Sequence, residues 1–356
     1  MKIIGERLRG LRESVRLSQA KLAKEFDVSQ SALARYEIDD STPSPEVFLK
    51  YADYFDVSLD YIFGRTDDPH GMIYNNCVKL GLNNPEMARF VEMCFDSGSG
   101  GLTAVREIRS ILPSENIIYF GDTSRVPYGG RSAEILLRYA RQDVHFLRSF
   151  DVKALLVACG TVSTNALPVL AAENDIPVLG VVKPSCAAAA AATRNKRVGL
   201  IATAASVRSG AYERCLAALD GAIQVYVKAC PLFVPLVENG RFRPGDPVIE
   251  TVAREYLEPL RATGIDTLIL GCTHYPLLTE IIADIMSPGV TLIDSGAAAA
   301  RVLRQTLSDR GALAQRDHGT LTLYASDRPE DFGALAGQFL RRPLESAVQH
   351  VDIERY

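Results

Sequence analysis

The sequence predicts an α/β protein: a small all-α helix-turn-helix domain followed by two α/β lobes whose parallel sheets face a cleft. Three observations predict it. Residues 1–66 read as a series of short helices. From about residue 90 onward, short apolar runs alternate with Ala-rich helical stretches, the pattern of parallel strands joined by crossover helices. Two of those runs end alike, in Val157-Ala158-Cys159-Gly160-Thr161 and Leu270-Gly271-Cys272-Thr273-His274, as strand ends of two similar lobes would. With 356 residues, 47% hydrophobic and 23% charged, and a net charge of -4, the chain suits a folded protein of more than one domain, and bulk disorder and fibrous repeats are excluded.

The first element is a helix on which Ile4, Leu8, Leu11 and Val15 recur at helical spacing. Ser18 starts a second helix, which carries the small residues Ala20 and Ala23 and leads through Phe26 into the turn Asp27-Val28-Ser29. Gln30 to Glu37 form a third. Two helices joined by so short a turn need a small residue where they cross, an apolar residue in the turn and a polar start to the second helix; Ala23, Val28 and Ser29-Gln30-Ser31 supply them. The turn formers Asp67-Asp68-Pro69-His70-Gly71 and Asn83-Asn84-Pro85, with weak periodicity between, predict a linker over 67–90. Beyond it, strands are expected over 90–95, 117–120, 154–158, 178–182, 198–201, 267–270, 290–293 and 321–324. The uncharged stretch 154–172 has the length of a membrane span, but Gly160, Thr161, Ser163, Thr164, Asn165 and Pro168 interrupt it, and it reads as a buried strand feeding a loop and helix.

Leu17-Ser18-Gln19-Ala20-Lys21-Leu22-Ala23 and Val28-Ser29-Gln30-Ser31-Ala32-Leu33-Ala34-Arg35-Tyr36-Glu37 resemble the repressor-type helix-turn-helix family, and the likeness runs over about residues 3–65. The resemblance implies DNA as a partner, with Gln19, Gln30, Ser31 and Arg35 facing it, since amides and guanidinium groups can bond base edges or phosphates. Local charge agrees. Residues 1–36 hold eight basic and four acidic side chains although the whole chain, with 39 Lys+Arg against 43 Asp+Glu, has no basic excess. The plainer alternative is that these charges solvate the faces of a helical bundle. One recognition helix seldom suffices, so a homodimer is expected.

In parallel α/β layers ligands sit outside the carboxyl ends of the strands, which directs attention to Cys159 and Cys272, each beside a threonine. Two thiols flanking a cleft suit removal of a proton from one face of a carbon and its return on the other, because cysteine serves as thiolate base or thiol acid. A thiol of pKa about 8.5 is only roughly a tenth ionised near pH 7.5, so neighbours must tune it. Asp96, closing the first strand, and His274, two residues after Cys272, are the candidates. Loop amides and the hydroxyls of Ser97, Thr161 and Thr273 are placed to stabilise the carbanionic transition state.

These residues lie in segments that resemble glutamate racemase of the aspartate/glutamate racemase superfamily: Asp96-Ser97-Gly98-Ser99-Gly100-Gly101-Leu102, Gly121-Asp122-Thr123-Ser124-Arg125-Val126-Pro127-Tyr128-Gly129, residues 230–238 from Cys230-Pro231 to Val237-Glu238, and Leu270-Gly271-Cys272-Thr273-His274-Tyr275-Pro276. The likeness spans about residues 91–345. It implies lobe one over about 91–185 plus 296–356 and lobe two over about 186–295, no cofactor, and interconversion of L- and D-glutamate for peptidoglycan synthesis. It implies Cys159 and Cys272 as the acid/base thiols, Asp96 and His274 as their partners, and Ser97, Pro127, Tyr128, Gly129, Gly160, Thr161 and Thr273 as substrate contacts, with Glu238 and Ser206 nearby. One departure stands out: the family usually has asparagine after the first cysteine, where this chain has Gly160. Ser206 stands where the family tends to have threonine.

Other readings are weaker. Zinc would need a Cys-x-x-Cys or His-x-x-x-His spacing, neither of which occurs, so no metal is expected. The Gly98–Gly101 turn lacks the Gly-Lys-Ser/Thr ending of a phosphate loop. Cys77, Cys94, Cys186, Cys215 and Cys230 read as small buried fillers, and Arg125 as either a carboxylate grip or a structural ion pair. Seven cysteines without a secretory leader pattern point to reduced thiols in the cytoplasm. A regulator whose racemase-like domain senses an amino acid, an aspartate racemase and a decarboxylase remain as alternatives, two cysteines favouring racemisation over decarboxylation.

Overall fold

The computed structural model describes residues 3–15, 17–55, 57–64, 92–96 (backbone), 98–286 and 288–356, so the expected linker at 67–90, together with Cys77 and Ser97, lies outside the described residues. The chain divides into two compact units, Met1–Asn83 and Asn84–Tyr356.

The first unit contains α1 (Ile3–Ser14), α2 (Gln19–Glu25), α3 (Gln30–Tyr36), α4 (Pro45–Phe55) and α5 (Leu59–Ile62). Serines start four of them: Ser18 accepts from the Lys21 amide, Ser29 from that of Ala32, Ser44 from that of Val47 and Ser58 from that of Tyr61, each satisfying a donor that the first turn leaves free. Between α2 and α3, Asp27 takes the left-handed conformation with φ of 54°, one that short polar side chains tolerate, and the Val28 amide returns to the Ala23 carbonyl at 2.9 Å. Leu8, Leu22, Phe26, Leu33, Tyr51 and Ile62 form the core, and Ala23 is buried at the crossing of the helices, as its size predicts.

The second unit holds ten strands among the described residues: β1 (Glu92–Asp96), β2 (Ile117–Gly121), β3 (Leu155–Val157), β4 (Val178–Gly180), β5 (Arg197–Ala202), β6 (Gln224–Ala229), β7 (Thr267–Leu270), β8 (Thr291–Asp294), β9 (Leu321–Ala325) and β10 (Gln349–His350). They form two sheets, in the orders β10-β9-β2-β1-β3-β4 and β6-β5-β7-β8. Every pairing is parallel. The chain completes the four strands β1–β4, builds the second sheet, and returns to the first through the helix Ser295–Asp309, so that Leu321 of β9 pairs Ile117 of β2. A sheet so covered is buried on both faces, which is why β2 and β3 read as unbroken apolar runs.

All eight expected strands are present. The run 178–182 is shorter as a strand than its composition implies, because β4 ends at Gly180 and a helix already begins at Val182; that helix, Val182–Ala192, takes in the alanine run. Two strands were not anticipated. β6 is an edge strand with no fully buried position, and its apolar run Val225-Tyr226-Val227 is short and flanked by Gln224 and Lys228, while β10 has only two residues. The stretch 154–172 folds as β3 and two short helices, and among the described residues no helix is long and apolar enough to cross a membrane.

Candidate active site

The carboxyl ends of the two sheets converge on a cavity of about 480 Å³, a volume suited to a small ligand. From the first sheet, β3 delivers Cys159, Gly160 and Thr161; from the second, β5 delivers Thr203 and Ala204, β6 Cys230, and β7 Gly271, Cys272, Thr273 and His274. Both thiols therefore open onto one space, Cys159 4% and Cys272 7% exposed and each without a disulfide. Val126, Pro127, Tyr128, Gly129 and Gly130 form another wall.

His274 has polar neighbours at both ring nitrogens. One ring nitrogen, Nδ1, lies 3.8 Å from Cys272 Sγ and 3.5 Å from Thr273 Oγ1, while Nε2 lies 3.1 Å from Glu238 Oε1. Burial alone lowers the basicity of this imidazole, but the hydrogen bonds to Cys272 and Glu238 and the charge of both outweigh it, and its pKa is pushed up to about 10. At neutral pH the ring is thus an imidazolium, with one N–H aimed at the sulfur and the other at the carboxylate. The glycine-rich turn packs against it: a Cβ on Gly100 would come within 2.5 Å of His274 Nδ1, so a side chain there would displace the ring.

The opposite wall is held differently. The Tyr128 hydroxyl donates to Asp122 and, at 3.4 Å, to Asp143, both carboxylates being fully buried. Burial first, then Asp143 and Asp122, push this phenol well above its ordinary pKa, so it stays a donor. Its hydroxyl thereby points to the carboxylates. Arg125, 6% exposed, bonds Glu354 at 2.8 Å, lies 3.5 Å from Asp122 and covers the Tyr139 ring, and it does not line the cavity. Of its two readings the structure gives the ion pair.

The described lining contains no Lys or Arg. Besides the His274 ring, an anionic ligand would be met by neutral donors: Thr273, and the pair Thr161 and Thr203, whose hydroxyls lie 3.0 Å apart and bridge the lobes. Asp96 ends β1 in register with Gly121. Sequence reasoning did not single out Thr203, although it follows a strand end as Cys159 does. Glu238 was placed nearby without a role, and lies on the helix Phe233–Glu238. Cys230, read as a filler, is buried as expected but forms part of the cavity wall. Among the described residues no cluster of three metal-ligating side chains occurs.

In comparison with known proteins, residues 105–303 match the Asp/Glu/hydantoin racemase family and residues 8–62 a helix-turn-helix family. The glutamate racemase of Desulforudis audaxviator is 43% identical over 270 residues, covering 74% of this chain and 98% of that protein. The chain belongs to the glutamate racemase family. Among solved structures, a glutamate racemase isoform from Bacillus anthracis superposes with a TM-score of 0.70 at 37% identity, over 74% of this chain and 97% of the other. The glutamate racemase from Francisella tularensis, solved in complex with D-glutamate, does so with a TM-score of 0.70 at 35% identity, over 76% and 99%. Glutamate racemase is accordingly the activity of the second unit, and these relatives leave the helix-turn-helix unit as an addition.

That addition presents Gln30, Ser31 and Arg35 exposed on α3, with Gln19 half-buried on α2. The side chains are linked. Arg12 donates to the buried Glu37 at 2.8 Å, Gln19 donates to Glu37 at 2.9 Å, and Gln30 donates to Gln19 at 3.0 Å.

Proposed function

We propose that Cys159 and Cys272 perform the racemisation as an acid/base pair: one thiolate takes the Cα proton of glutamate while the opposite thiol returns a proton to the other face. The observation that supports this most is that the two thiols, each at the carboxyl end of a strand from a different sheet, open onto one cavity. The His274 ring lies 3.8 Å from Cys272, within reach of exchanging a proton with it, Glu238 keeps that imidazolium charged and oriented, and Asp96 takes the matching role for Cys159. Ser97, Pro127, Tyr128, Gly129, Gly160, Thr161 and Thr273 contact glutamate, the hydroxyls and loop amides neutralising the charge that develops on its α-carboxylate. No cofactor enters the step.

Incubation with L-glutamate in deuterated water is expected to yield D-glutamate carrying solvent deuterium at Cα, read by chiral chromatography and mass spectrometry. Absence of exchange with both glutamate and aspartate would sink the two-thiol reading and favour an amino-acid sensor. In the cell, D-glutamate so made serves peptidoglycan synthesis in the cytoplasm.

The helix-turn-helix unit binds DNA through Gln19, Gln30, Ser31 and Arg35, a homodimer supplying the paired half-sites. Measured by fluorescence anisotropy on a duplex of random sequence, Arg35→Ala is expected to weaken binding and to lower the slope of log affinity against log salt by about one. An unchanged slope removes Arg35 from the interface.

A further inference from the structure

The two residues that flank the thiols touch each other. Gly160 follows Cys159, Gly271 precedes Cys272, and a Cβ placed on Gly160 would lie 2.5 Å from the Gly271 carbonyl oxygen and 3.5 Å from its carbonyl carbon. Carbon–oxygen contacts of this kind settle at about 3.3–3.6 Å, so any side chain at 160 requires the two strand ends to part by on the order of 1 Å. The obstacle is backbone and cannot rotate away.

Neither side can give easily. The Gly271 amide donates to the Ile201 carbonyl at 2.8 Å, and a Cβ on Gly271 would itself lie 2.8 Å from that carbonyl and 2.9 Å from Leu200 Cδ1, so the loop after β7 is held down on β5. On the other side, the helix Gly160–Asn165 is tied to β3 by Ser163, whose amide donates to the Cys159 carbonyl at 2.9 Å and whose hydroxyl donates to that of Val157 at 2.9 Å. The hydroxyls of Thr161 and Thr203 span the same junction.

We propose that the Gly160–Gly271 contact is the gauge that sets the distance between the Cys159 and Cys272 sulfurs, which makes Gly160 a positioning residue; this rests on the two-thiol reading of the cavity. Gly160 therefore marks a closer approach of the lobes, with no vacant place for an asparagine side chain. Proton transfer depends steeply on donor–carbon distance, and a misplacement of about 1 Å can cost a hundredfold.

The test compares the full-length parent with Gly160→Ala and Gly160→Asn, measuring kcat and KM for both enantiomers of glutamate and the thermal unfolding midpoint. In folded variants kcat is expected to fall by roughly a hundredfold while KM moves far less. A folded Gly160→Ala with the parent's kcat overturns the proposal, and so does a Gly160→Asn that turns over faster than the parent. Should both variants fail to fold, the parent alone decides through a length series of bifunctional thiol-alkylating reagents, with bridged peptides read by mass spectrometry. Only the shortest members are expected to join Cys159 to Cys272, and equal bridging across the series overturns the gauge. Failure of the two-thiol reading looks different, since the parent itself would then incorporate no deuterium.

Discussion

Replacing either cavity thiol by a hydroxyl is expected to stop racemisation in both directions, with Cys159→Ser and Cys272→Ser each lowering kcat by about 10²–10⁴-fold. In the proposed mechanism each thiol serves as base for one enantiomer and as acid for the other, so the loss of one would block both reactions, and a serine hydroxyl is too weak an acid and its alkoxide too scarce to stand in. The remaining thiol still faces one side of the cavity. Each variant is therefore expected to wash out the α-proton of a single enantiomer, and the two variants should select opposite ones, as followed by loss of the Cα proton resonance in deuterated water. Both thiols are almost completely buried and serine is close to cysteine in size, so serine fills the space with little change in the unfolding midpoint. A folded Cys159→Ser that racemises at the parent's rate would remove that sulfur from the chemistry.

Loss of the His274 imidazole ranks next. His274→Gln keeps an amide near both Cys272 and Glu238 but removes the positive charge, and kcat/KM is expected to fall by roughly 10²-fold. Because enantiomers have equal free energies, the fall must be the same in both directions. The pH dependence has a definite sign. The folded imidazole, pushed up to about 10, lies above the ordinary value of about 6.5. The stability it contributes is complete below about pH 6.5 and is lost as the pH rises through about 10. The parent's alkaline limb of stability should therefore steepen near that pH and flatten in His274→Gln; identical limbs would show that the imidazole is not held charged by Cys272 and Glu238.

How much of this was legible differs from residue to residue. Cys159 and Cys272 stand out in the chain because each ends an apolar run, and the rule that ligands meet parallel sheets at their carboxyl ends supplies the rest. The same rule also reaches Thr203 after β5, but a lone threonine carries no chemical signal. The turn of the first unit was readable because local needs dictate it: serine caps, a small residue at the crossing, an apolar turn residue. β6 escaped notice for the opposite reason, since an edge strand with both faces partly wet has no buried face to impress a pattern on its sequence.

Local spacing and residue chemistry thus determined the two α/β lobes, the helical unit before them, the two thiols and the histidine beside one of them, because periodicity and strand ends are properties of neighbours in the chain. Only the tertiary structure decided that Glu238 meets His274 across 36 residues, that the Tyr128 hydroxyl turns to Asp122, that Arg125 pairs with Glu354, and that Gly160 touches Gly271. Those contacts join groups that no periodic pattern brings together, and the Gly160–Gly271 distance follows from how the two sheets are packed, a quantity no local pattern encodes.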